Sequence, residues 1–134
     1  MKVAVAIITD DQQRVLITQR PLHASQGGLW EFPGGKLEAD ELPEQALIRE
    51  IKEEVGLSIL QYQLLGEIRH QYSDKDVHLI IFHVSKFIGQ AACIEGQLGM
   101  KWIDKEHLNP HDFPEANHGI FNLIPEVSAT GNLC

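Results

Sequence analysis

Residues 43–55, PEQALIREIKEEV, constrain the fold of this chain more than any other stretch, because as a helix they can bury only one side. At ~100° per residue, Leu47, Ile48, Ile51 and Val55 gather on one face, while Glu50, Glu53 and Glu54 fall within an arc of roughly 100° on another. Pro43 at the first helical position, Glu44 in the first turn and Gly56 as terminator mark its ends. Leu42, in the cap position, offers no side-chain acceptor. Such a helix needs an apolar surface to lie on, and β-branched runs on both sides of it supply one. Residues 3–9 (VAVAIIT) and 14–20 (RVLITQR), separated by the polar residues 10–13, read as a hairpin. A loop with Pro21, Gly27 and Gly28 follows.

From about residue 60 to 88 the pattern is again that of paired strands, including VHLIIFHV at 77–84, and MKWID at 100–104 adds another. DFPEANHGIFNLIPEV reads as a loop leading into a second helix over 116–124. Strands precede and follow the first helix without a βαβ repeat, which implies an α/β (α+β) fold: a mixed sheet with helices packed on it. With 134 residues and 43% apolar content, residues 1–134 are expected to form a single domain without disulfides or a structural metal. Cys93 and Cys134 lie far apart and read as two free thiols, which suits a reducing compartment. The apolar run at the start is too short and wrongly flanked for a secretory signal, and no stretch approaches a membrane span. A cytoplasmic location and no membrane partner are the expectations.

The formal net charge of -8, from 19 acidic and 11 basic residues, argues against broad contact with a nucleic-acid backbone. An anionic ligand therefore needs a few placed basic groups or a bound cation to reverse the local field. The acids on the helix admit two readings. A like-charge pair such as Glu50 and Glu54 costs only ~0.2–0.5 kcal/mol on an exposed helix, so a solvated charged face is one. The other is a magnesium site, because Mg²⁺ takes one or two carboxylates together with substrate phosphates and water. Gly34 and Gly35, after Pro33, form a loop that lets the backbone approach such a ligand. The seven histidines show no H-E-x-x-H or paired-Cys spacing, and no zinc site is expected.

Gly35, Glu41, Arg49, Glu50, Ile51, Glu53, Glu54, Gly56 and Leu57 match G-x5-E-x7-R-E-U-x-E-E-x-G-U without departure. On these residues the chain resembles the Nudix family, and a chance match at a given start is on the order of 10⁻⁹. ITQR (17–20), EFPGGK (31–36), PEQA (43–46), EGQ (95–97) and DFPEAN (112–117) are similar to the MutT branch, the hydrolases of oxidised guanine nucleotides. The resemblance implies an α/β/α sandwich with helices on both faces of the sheet. It also implies Mg²⁺-dependent hydrolysis of a nucleoside triphosphate, 8-oxo-dGTP in that branch, with Mn²⁺ as a substitute. Expected metal ligands are Gly34 through its carbonyl, Glu50, Glu53, Glu54 and Glu95.

Catalytic work falls by resemblance to Glu50, Glu53, Glu95 and Arg49, with Glu50 the first choice as general base and Glu95 the second. Arg49 orients a carboxylate and Glu41 supports the loop or an outer metal shell, or either one is merely structural. Substrate binding is assigned to Arg20, Glu31, Phe32, Pro33, Gly34, Gly35, Lys36 and Asn117. Arg20 and Lys36 are phosphate partners or ordinary surface cations. Phe32 lines a base pocket or belongs to the core. Asn117 reads the keto oxygen and protonated N7 edge of 8-oxoguanine, or caps the second helix. One departure stands out: MutT proteins can place a His where Ser25 aligns, whereas this chain has His23 two residues earlier. The partner implied is a small-molecule nucleotide rather than nucleic acid, and the chain is expected to be a monomer, with a dimer as the alternative. Other Nudix substrates, or a Nudix scaffold that binds without turnover, are the competing readings.

Overall fold

A computed structural model of the chain describes residues 1–125; Cys134 lies outside them, and Cys93 is an exposed free thiol. Strands β1 (Lys2–Ile8), β2 (Arg14–Gln19), β3 (Trp30–Glu31) and β4 (Gly34–Lys36) precede helix α1 (Pro43–Val55). β5 (Ser58–Gln71), β6 (Asp76–Ile88) and β7 (Gly99–Asp104) follow it. They form two sheets, of order β4-β1-β6-β5 and β3-β2-β7. β1 runs parallel to β6, and every other pairing is antiparallel.

β1 and β2 are not the hairpin expected from their spacing. Asp10 shapes the turn between them, its carboxylate accepting from the N–H groups of Gln12 (3.0 Å) and Arg14 (2.8 Å). Only the bridge Thr9↔Val15 joins the two strands, which then part into separate sheets. The reason lies in β1 itself: apolar on both faces, it is an interior strand, and β4 and β6 take both its edges.

Alternation along the strands divides the core in two. Ala4, Ala6, Ile8, Leu16, Ile80, Phe82 and Val84 face α1, which buries Ala46, Leu47, Ile51 and Val55 against them. Ile48, expected on the same face, is 42% exposed because it sits furthest round the apolar arc. The missing Leu42 cap is offset by Gln45, whose side chain accepts from the Leu42 N–H at 2.9 Å. Gly56 closes the helix at φ 77°.

Val5, Ile7, Val15, Ile17, Phe32, Leu79 and Ile81 face the other way and meet Phe113, Ala116, Ile120 and Ile124. The second helix appears there as a 3₁₀ segment, Glu115–Asn122, rather than an α-helix. Asn117, Gly119 and Asn122 are poor helix formers. A Cβ on Gly119 would also sit 3.0 Å from Ile68 Cδ1, so the segment lies close on β5. The site occupies the end of the molecule where β4, α1 and the β6–β7 loop converge.

Candidate active site

Gly35 of β4 passes directly beneath α1, and a Cβ there would overlap the Glu50 carboxyl group. A Cβ at Gly34 would run into the Ala4 carbonyl of β1. Two small residues therefore bring backbone and carboxylate together.

Arg49 ties the surrounding acids into one network. Its guanidinium grips Glu41 with two parallel bonds, Nε to Oε2 at 2.8 Å and Nη2 to Oε1 at 2.9 Å. Nη1 reaches Glu50 at 3.1 Å and Glu53 at 3.2 Å, and Nη2 donates to the Lys36 carbonyl at 3.1 Å. Glu41 also accepts from the Glu38 N–H at 2.8 Å. The Arg49 hydrogen bonds, then the backbone one, hold the Glu41 carboxyl down at about 2. Glu41 first, and then Glu50 and Glu38, raise Arg49 above its ordinary range. Arg49 and Glu41 thus position carboxylates and the loop.

Glu50 and Glu54 move in the opposite direction. Burial raises Glu50, opposed by Arg49. Glu54 is pushed up to about 9, first by burial, then by the charges of Glu31 and Glu50, and less by Glu95. The Gly34 backbone N–H opposes that rise. Glu53, with a side chain 49% exposed, is paired with Arg49 at the rim of this network. Glu95 stands on the exposed loop between β6 and β7, close enough for its charge to act on both Glu50 and Glu54.

Among the described residues no three His, Cys, Asp or Glu side chains converge at metal-holding distance. Glu50 and Glu53 turn toward Arg49 instead. The donor set nevertheless fits a hard divalent cation: it is all oxygen, several carboxylates share one field, and one of them is driven to about 9 by burial and then by the charges of its acidic neighbours. A cation placed among them would reverse that repulsion.

Beside the acids lies a cavity of about 140 Å³ that brings Arg20, Glu31, Phe32, Gly34 and Asn117 together. Whole-ligand pockets begin near ~300 Å³, so this one suits one end of a larger ligand. Arg20 is held by Glu31 (2.7 Å) and the Ser25 carbonyl (2.7 Å). Burial raises Glu31, and Arg20 opposes it. Phe32 is both core and cavity wall: it is 4% exposed and stacks on Phe113 at 5.0 Å.

Asn117 is not the cap. Pro114 occupies that position, and the Asn117 N–H bonds back to the Pro114 carbonyl at 2.9 Å. Its side-chain amide has no hydrogen-bond partner among the described residues and lines the cavity.

The family model described as the NUDIX domain matches residues 4–123. This chain belongs to the Nudix hydrolase family. It is 36% identical over 127 residues to an Escherichia coli 8-oxo-dGTP diphosphatase, covering 95% of this chain and 98% of the relative. It is also 36% identical over 115 residues to the E. coli CTP pyrophosphohydrolase, covering 82% and 84%. A solved MutT chain, from a study of Aliivibrio salmonicida and Vibrio cholerae, superposes with a TM-score of 0.76 at 32% identity, covering 92% of this chain and 97% of that one.

Within this Nudix site not every residue singled out from sequence joins the cavity. Lys36 is exposed and contributes only its carbonyl, to Arg49. Pro33 is buried, its carbonyl accepting from the Ala6 N–H at 2.8 Å. His23 is exposed and does not line the cavity, whereas Ser25 does. Tyr72 and Lys75, at the β5–β6 turn, line it without having been foreseen. The Tyr72 hydroxyl accepts from the Ala116 N–H at 2.9 Å, and the Lys75 ammonium lies 5.8 Å from the Tyr72 ring centroid. A lone Tyr and Lys in a turn carry no sequence signal of such a role.

Proposed function

We propose that this Nudix hydrolase is a Mg²⁺-dependent nucleoside triphosphate pyrophosphohydrolase of the MutT type that converts 8-oxo-dGTP to 8-oxo-dGMP and pyrophosphate. Mn²⁺ can replace Mg²⁺ in this reading. The observation that carries it is one cavity lined by both Gly34, beside the acids, and the Asn117 amide, which has no hydrogen-bond partner among the described residues. An amide offers a donor and an acceptor at once, the pair required by the keto oxygen and N7–H of the oxidised base.

The Gly34 carbonyl, Glu50, Glu53, Glu54 and Glu95 would hold the cation, which when bound supplies charge neutralisation for the polyphosphate and for the transition state. Glu50 takes a proton from the water that attacks the β-phosphorus. The new P–O bond forms there, the bond to the α-phosphate oxygen breaks, and the nucleoside monophosphate departs. Arg49 keeps Glu50 in position, and Arg20, which lines the cavity, assists the phosphates. Glu50→Gln is expected to lower kcat by at least ~100-fold with folding intact; an unchanged rate would refute its role.

Likeness to a CTP pyrophosphohydrolase favours a second reading, a different nucleotide on the same catalytic centre. A kcat/KM panel over 8-oxo-dGTP, dGTP and CTP separates the two: equal values for dGTP and 8-oxo-dGTP would end the first. In the cell the proposed role is to clear a miscoding precursor before DNA replication, by a cytoplasmic, single-domain monomer that acts on the free nucleotide. No helix among the described residues is long and apolar enough to cross a membrane.

A further inference from the structure

Glu95 belongs to a different element from the other acids, yet its charge acts on Glu50 and Glu54. Something must hold an exposed loop in register with a helix, because a carboxylate is useful there only if its placement is reproducible. The loop has little apolar anchorage: Ile94 and Leu98 are 56% and 52% exposed. It is fastened instead by hydrogen bonds to the end of α1. The N–H of Ala92 donates to the Val55 carbonyl (3.0 Å) and that of Ile94 to the Glu54 carbonyl (3.1 Å). These bonds satisfy carbonyls that a helix terminus leaves open.

Gln97 joins both ends of the arrangement. Its side-chain nitrogen donates to the Glu54 carbonyl at 2.8 Å, and its side-chain oxygen accepts from the Glu95 N–H at 2.9 Å. Gly96, at φ 76°, turns the chain so that the Gln97 side chain can fold back on Glu95. One amide thus links the backbones of the two acids.

We propose that Gln97 is a positioning residue for Glu95, registering the β6–β7 loop against α1 so that Glu95 completes the acidic centre. The proposal rests on the hydrolase reading given above. The residue must donate and accept simultaneously. Glutamate would keep the bond from Glu95 but set a carboxylate against the Glu54 carbonyl, asparagine would be too short, and methionine would keep the volume and lose both bonds.

The test is Gln97→Met in the parent and in a Glu95→Gln background. In the parent, kcat is expected to fall ~10–100-fold, with KM for nucleotide within about threefold. Mn²⁺ affinity, measured by calorimetry without nucleotide, is expected to weaken at least ~10-fold, and the Glu95 amide to lose hydrogen-exchange protection. In the Glu95→Gln background the same substitution should change kcat less than twofold, because a residue acting through Glu95 has nothing left to position. Parent kcat and Mn²⁺ affinity both within twofold, or an equal kcat loss in the two backgrounds, would overturn the proposal. The second result also exposes a variant that merely folds badly. Should the unaltered chain release no pyrophosphate from any nucleotide, the hydrolase reading fails, while Mn²⁺ affinity and Glu95 amide exchange still decide the role of Gln97.

Discussion

Replacing Glu54 with Gln should stabilise the metal-free protein while removing its activity. In the fold the Glu54 carboxyl is pushed up to about 9 from an ordinary 4.5, chiefly by burial and by the charges of Glu31 and Glu50. An acid raised in this way favours the folded state least where the unfolded chain would ionise it. Its penalty begins above pH 4.5 and grows until the pH passes 9. At roughly 1.4 kcal/mol per pH unit, the interval from 4.5 to pH 7 amounts to about 3 kcal/mol. Glutamine mimics the protonated acid and does not titrate. Urea unfolding in EDTA should therefore find Glu54→Gln more stable than the parent by about 3 kcal/mol at pH 7 and by under about 1 kcal/mol at pH 5. In thermal unfolding the pH 7 difference corresponds to roughly 10 °C. Mg²⁺ should then stabilise the parent and leave the variant nearly unmoved. A difference that does not vary between pH 5 and pH 7, or a variant less stable at both, would refute the electrostatic reasoning.

The pair of Glu41 and Arg49 has the opposite sign. Because Glu41 is depressed to about 2, its contribution is present above pH 4.5 and is lost as the pH falls toward 2; Arg49→Met should abolish that part of the acid sensitivity in a pH series of Tm. Gly35→Ala would drive a Cβ into the Glu50 carboxyl, so kcat should drop ~100-fold while Tm moves little, since the flexible end of Glu50 can yield. Asn117→Ala should lower the preference for 8-oxo-dGTP over dGTP in kcat/KM by ~10-fold or more. Phe32→Ala, in contact with Phe113 and Phe121, should destabilise the fold by ~3–5 kcal/mol in urea titrations.

Helix α1 was legible because its period, Pro43 and Gly56 all act locally, and the strands because β-branched runs do. The pairing of β1 was not. Its parallel neighbour β6 lies on the far side of α1 in sequence, so a short turn to β2 imitated a hairpin that the long-range pairing displaces. The close approach of Glu115–Asn122 to Ile68, through Gly119, is a long-range contact that periodicity does not reveal. In the site, Glu50, Glu53 and Glu54 could be grouped because helical spacing places them together. Arg49 could be seen as an orienting group, although its grip on Glu41 required the fold. The cavity was half legible: Arg20, Glu31, Phe32 and Asn117 belong to recognisable segments, whereas Tyr72 and Lys75 arrive through the β5–β6 turn.

The most direct measurement is hydrolysis of 8-oxo-dGTP in ¹⁸O-labelled water, with and without Mg²⁺, followed by mass spectrometry of both products. The expected result is reaction only with the divalent ion and label solely in pyrophosphate, as water attack at the β-phosphorus requires. Label in 8-oxo-dGMP, release of orthophosphate, or an undiminished rate in EDTA would contradict the account.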